Sequence, residues 1–163
     1  MEILWSELTA GLGDSAQLAR VVIRLVAATL LGGVIGIQRE RAGKPAGLRT
    51  HMLVTLGTAV FVLACVGARM TPDGVSRVIQ GIVTGIGFIG AGSILKVNER
   101  SVRGLTTSAG VWMTAAVGVA VGVGSLGIAL LSTALTLIIL SLAKRFERQV
   151  DADRAAEVEA RDN

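Results

Sequence analysis

Charge is what this chain has least of: Asp, Glu, Lys and Arg make up 17% of its 163 residues, against about 25% in an ordinary soluble domain. Hydrophobic residues reach 52% and the mean hydropathy is +0.65, so the polar surface needed to cover the chain in water is missing. Lipid is the solvent this composition fits. A single cysteine, Cys65, excludes an intramolecular disulfide framework and a Cys-rich metal site. The two prolines, Pro45 and Pro72, fall between apolar runs and interrupt none of them. The 21 glycines follow no three-residue period, which excludes a collagen-like chain, and the plentiful Leu, Ile and Val exclude a disordered one.

A bilayer core about 30 Å thick takes about 20 apolar residues at 1.5 Å per residue. Five runs of that length occur, at about 18–37, 51–68, 78–95, 105–122 and 126–143, the last two separated by Val123, Gly124 and Ser125. The predicted fold is an all-α, polytopic membrane bundle of about five transmembrane helices. Residues 1–17 precede it as an extracytoplasmic segment, residues 18–143 form it, and residues 144–163 follow as a charged cytoplasmic tail. At the start Leu4, Trp5, Leu8 and Leu12 recur at helical spacing, which fits a short interfacial helix or a frayed terminus rather than a signal peptide, since acids stand where a basic region belongs.

The connections set the orientation, because Lys and Arg concentrate on the cytoplasmic side. Twelve of the sixteen basic residues lie on one side (Arg39, Arg41, Lys44 and Arg49; Lys96, Arg100 and Arg103; and five in the tail), against Arg20, Arg69 and Arg77 on the other. An odd number of spans then places the N-terminus outside and the C-terminus inside. The net charge of +4 is a topology signal, so no nucleic-acid partner is expected.

Small residues recur every four positions: Gly32 and Gly36; Gly81 and Gly85; Gly110, Thr114, Gly118 and Gly122. Such spacing puts them on one helical face, where backbones approach closely, and predicts a compact, tightly crossed bundle, with self-association open to it. Residues 85–90 also match the G-x-G-x-x-G dinucleotide pattern, but mid-span, where helix packing is the simpler reading. Glycines at 81, 85, 87, 90 and 92 offer a third reading, a kinked or unwound helix that exposes carbonyls.

None of the twelve carboxylates falls inside a predicted span. That counts against a transporter of divalent cations or protons, which usually carries a buried acid. Nucleotide-hydrolysis motifs are absent too. Arg24 is the strongly polar residue inside a span; it either snorkels to the outer interface or faces inward toward Gln80, Thr84 or helix carbonyls. Ser93, Ser108 and the threonines at 55, 58, 84, 106, 107 and 114 read as interhelical hydrogen bonders or caps. The lone His51 reads as an interfacial structural histidine before it reads as a pH sensor or metal ligand. No metal, cofactor or catalytic constellation is expected.

Three stretches in order, from Gly33 through Gln38-Arg39-Glu40-Arg41 to Gly43-Lys-Pro-Ala-Gly-Leu-Arg-Thr-His51, from Gly81 to Gly92, and from Arg103 through Thr107 to Trp112, resemble the MgtC/SapB family of bacterial inner-membrane proteins. The resemblance implies a five-helix domain with the N-terminus outside. It implies a non-enzymatic role in adaptation to low magnesium and virulence, exerted on a membrane complex such as the F-type ATP synthase. It also implies a short form without the ACT-like C-terminal domain many members carry; members tend to have Glu where this chain has Gln38. The matching stretches converge on the cytoplasmic face, where Arg39, Arg41, Lys44, Arg49, Lys96, Arg100 and Arg103 form a basic collar with Glu40 and His51 beside it. Such a collar holds anionic headgroups or docks an acidic partner. The competing reading is a small transporter or channel, its path lined by Thr84, Ser93 and the glycines of the third span.

Overall fold

The computed structural model describes residues 1–4, 14–98 and 101–142. Helix α1 runs Ser15–Arg41, α2 Leu48–Gly67 and α3 Pro72–Ala91. A two-stranded antiparallel hairpin follows, β1 Leu95–Asn98 and β2 Ser101–Arg103, then α4 Leu105–Val123 and α5 Leu126–Leu142. Helices α1 to α4 are long and apolar enough to cross a bilayer, and the 17 residues of α5 would span about 25 Å, the lower end of what a hydrocarbon core takes. Large apolar side chains point outward all along the bundle, among them Leu30, Phe61, Phe88 and Ile139. Water would not support that surface; lipid does.

The chain begins and ends its helices with local devices. Asp14 caps α1 by accepting from the Gln17 amide at 2.8 Å, and Thr71 caps α3 ahead of Pro72 at the first helical position. Glu40, in the last turn of α1, reaches across the connection so that its Oε2 accepts from the Leu48 amide at 2.8 Å. One carboxylate therefore satisfies the positive end of α2 and closes the α1–α2 hairpin. Gly104 starts α4 at φ +94°, and a Cβ there would strike the Ser93 carbonyl oxygen, so only glycine lets the β-hairpin turn into α4.

The core sits between α1, α2 and α4. A Cβ on Gly36 would come within 2.6 Å of the Leu48 Cα, and one on Gly122 within 2.7 Å of the Val62 Cβ. Gly32 faces Thr55 and the His51 carbonyl, and Gly118 faces Thr58 and the Thr55 carbonyl, closer still. Expected small-residue packing therefore holds for α1 and α4. Around these crossings Ala28, Ile35, Ala59, Val117 and Val121 are buried, with Ala129 and Leu140 of α5 packed on them. Helix α3 is peripheral; it joins through Ile86, which packs with Val111 and Ala115, and through Gly90 against Ser108.

Several expectations need correction. The third helix begins at Pro72 and ends at Ala91, earlier at both ends than the apolar run suggested, and the hairpin follows where the run continued. It is continuous through the glycine-rich stretch, so the unwound segment is not formed. A Cβ on Gly81, Gly85 or Gly87 would meet nothing within 4 Å among the described residues: Gly81 and Gly85 border an open groove between α2 and α3, and α3 touches the bundle along its Ile82–Ile86–Gly90 side instead. Gly92 caps the helix end beside the carbonyls of Phe88 and Ile89. The interfacial helix at Trp5, Leu8 and Leu12, and the tail, lie outside the described residues.

Candidate functional site: a polar core beneath a basic rim

The seam that binds α1 and α2 to α4 carries polar side chains at their most buried positions. Arg39 is 3% exposed and its Nη2 donates to Thr107 Oγ1 at 3.1 Å, tying the end of α1 to the start of α4. His51 is fully buried, with Nδ1 2.7 Å from Thr114 Oγ1. Thr114 gives its own hydroxyl proton to the Gly110 carbonyl at 2.8 Å, so it accepts from His51, and Nδ1 carries the proton. In the neutral ring this leaves a lone pair on Nε2, which is buried without a hydrogen-bond partner among the described residues. The Arg39 guanidinium and the Ala46 backbone are also among the polar neighbours of the ring.

Several other threonines bond back within their own helices. Thr55, Thr58, Thr133 and Thr136 each donate to a carbonyl four residues earlier in their own helix, and Thr84 does the same to Gln80. The interhelical reading therefore holds for Thr107 and Thr114 and fails for Thr55, Thr58 and Thr84; back-bonding satisfies a hydroxyl in lipid without a neighbour.

Two members of the expected collar are thus not part of it. Arg39 and His51 point into the bundle, so His51 is a core residue and not an interfacial one. Arg41, Lys44, Arg49, Lys96 and Arg103 are exposed, and the Arg39–Thr107 and Gly90–Ser108 contacts bring the segments that carry them to one end of the bundle. Arg100 lies outside the described residues. Glu40, the described carboxylate at this end, is engaged by the Leu48 amide and offsets the rim only in part. Gln38 is turned toward α5, beside a cavity of about 460 Å³ lined by Ile37, Arg41, Leu137 and Ser141, and its buried Oε1 has no hydrogen-bond partner among the described residues.

The residues proposed for a path do not converge. Gln80 and Thr84 line an open depression with Met70 and Ile79. Gly81 and Gly85 line a separate groove of about 670 Å³ between α2 and α3, walled by Val54, Phe61 and Ile82. Ser93 follows the end of α3. Arg24 bonds to neither Gln80 nor Thr84; its Nη1 donates to the Gly122 carbonyl at 3.0 Å, at the end of the bundle opposite the rim. Of the inward partners considered for it, the helix carbonyl is the one it finds.

The sequence pattern of the MgtC family matches residues 25–149, which take in the polar core and the rim. The chain belongs to the MgtC family. Relatives include SrpB of Synechococcus elongatus, 42% identical over 137 residues, 77% of this chain and 75% of SrpB. YhiD of Escherichia coli K12 is 40% identical over 134 residues, 76% of this chain and 60% of YhiD. MgtC of Salmonella typhimurium strain 14028s is 43% identical over 116 residues, 71% of this chain and 49% of MgtC. The chain thus spans most of SrpB but about half to three fifths of MgtC and YhiD. No solved structure matches it. As an MgtC-family membrane protein it places the family match on α1 to α5, so the buried Arg39 and His51 belong to the matched domain and not to an appendage.

Proposed function

We propose that this chain is a non-enzymatic bacterial inner-membrane protein that docks, through its basic end, on the acidic cytosolic surface of another membrane complex during adaptation to low magnesium. One observation carries the reading. Arg41, Lys44, Arg49, Lys96 and Arg103 stand exposed together while the Glu40 carboxylate is held by the α2 amide, which leaves a positive field free to steer an acidic partner. The excess of Lys and Arg supports a cytosolic placement of this end. Family resemblance supplies the physiology, the virulence context and the F-type ATP synthase as the partner to test first.

Transport is the competing role, and the name of YhiD proposes magnesium transport for that relative. In this chain no carboxylate lies within residues 15–39, 48–67, 74–91 or 105–142. An oxygen cage for a dehydrated Mg²⁺ at mid-membrane would have to come from carbonyls and hydroxyls alone. Docking is therefore the better supported role.

Photo-cross-linking from Lys44 in native membranes is expected to capture a larger complex. The Arg49→Ala/Arg103→Ala double variant should lower capture about tenfold, the effect of removing two steering charges, without changing protein level. Recovery of only monomers and self-dimers at both high and low Mg²⁺ would contradict the proposal.

A further inference from the structure

At the end of the bundle opposite the rim, the start of α1 and the end of α2 enclose a cavity of about 550 Å³. Gln17, Arg20 and Arg24 line it from α1, Gly67 closes α2 beside it, and Arg69 completes the wall. Among the described residues no carboxylate lines it, and Asp14, six residues before Arg20, is engaged in capping the Gln17 amide. Three like charges around one cavity repel one another, and Arg20 and Arg24 stand at the four-residue spacing that makes the repulsion unfavourable within a helix.

Helix-end chemistry explains only part of the cluster. Arg24 satisfies the Gly122 carbonyl at the end of α4, a favourable place for a cation, and Gly124 makes room for it, since a Cβ there would lie 2.9 Å from the Arg24 Cζ. That account needs neither Arg20 nor Arg69. Arg69 is moreover held at φ +53°, the one non-glycine residue with a positive φ among those described, in the position after the end of α2 where glycine is the easy choice. Arginine occupies a strained backbone position whose result is a third guanidinium on the cavity wall.

We propose that this cavity binds a phosphate group, gripped by Arg20 and Arg69 against the fixed guanidinium of Arg24. Guanidinium forks match phosphate oxygens in pairs, and the bound anion relieves the repulsion that the empty cluster carries. The same chemistry is presented by an anionic lipid headgroup at the membrane surface and by phosphate free in solution.

The full-length chain in nanodiscs separates the two sources. The variant to compare is Arg20→Ala/Arg69→Gly: Arg20 is exposed, and glycine at 69 relieves the backbone, so folding is preserved, while Arg24 stays in place to hold α4. In phosphatidylglycerol-containing nanodiscs, native mass spectrometry after release is expected to show retained phosphatidylglycerol that falls about tenfold in the variant. In phosphatidylcholine nanodiscs, titration with inorganic phosphate at constant ionic strength gives saturable binding, lost in the variant, if the source is the free anion. Either difference supports the site and says which source fills it. Equal phosphatidylglycerol retention by both proteins, together with phosphate binding that is absent from both or the same in both, would overturn it.

Discussion

Arg39→Ala is expected to destabilise the protein by about 3 kcal/mol, measured as the shift in unfolding midpoint in mild detergent. The substitution removes a buried hydrogen bond between α1 and α4 and leaves a hole where the arginine stem packs. Arg41→Ala, two residues away and exposed, should change stability by less than about 0.5 kcal/mol. Arg39→Met should fall between, because it refills the volume and removes a buried charge whose desolvation is itself unfavourable. If Arg39→Ala unfolds with the wild type, the tie between α1 and α4 is not what secures the bundle. The contrast also protects the docking test: Arg39 sits next to the rim in sequence, but a loss of capture on mutating it would reflect folding, whereas Arg49 and Arg103 act at the surface.

Gly118→Ala should cost about 3 kcal/mol and Gly85→Ala should cost nothing, or stabilise by a few tenths. Both glycines belong to four-residue small-residue patterns, so the patterns alone predict similar effects. At Gly118 the new methyl would overlap Thr58 and the backbone carbonyl of Thr55; a carbonyl in a helix cannot swing aside, so α2 and α4 must separate. At Gly85 the methyl enters open space in the groove between α2 and α3, and the only change is the better helix propensity of alanine. Equal effects at the two positions, by unfolding midpoint, would show that the α2–α4 crossing is looser than described.

This pair also separates what the sequence carries from what only the fold carries. Composition and run length are enough for membrane helices, since burying an unsatisfied backbone in lipid leaves few alternatives. They do not reveal neighbours. Periodicity marks a small face on α1, α3 and α4 alike; only the arrangement in space tells that α1 and α4 use theirs for close crossings while Gly81 and Gly85 of α3 border an open groove. Arg39 was readable in principle. It falls on the stripe of Ala28, Gly32, Ile35 and Gly36, all buried, but the charge argues for water more loudly than the spacing argues for the core. His51 likewise opens the stripe continued by Thr55, Thr58, Val62 and Cys65 on α2, a helix that turns its polar side inward because its other side meets lipid. The β-hairpin left no usable signal: its strands are four and three residues long, and Leu95 extends the apolar run of α3. The Glu40 cap joins residues eight apart across a turn, beyond any helical or strand period.

The central claim is that hydrocarbon surrounds this bundle and that its two ends face opposite compartments, with the basic rim in the cytosol. Membrane-impermeant thiol labelling of intact cells tests it most directly, in a Cys65→Ala background carrying either Asp73→Cys or Lys44→Cys, both exposed positions at opposite ends. The account predicts that Cys at 73 is labelled from outside while Cys at 44 is labelled only after the membrane is opened. Labelling of both positions from the same side would contradict it.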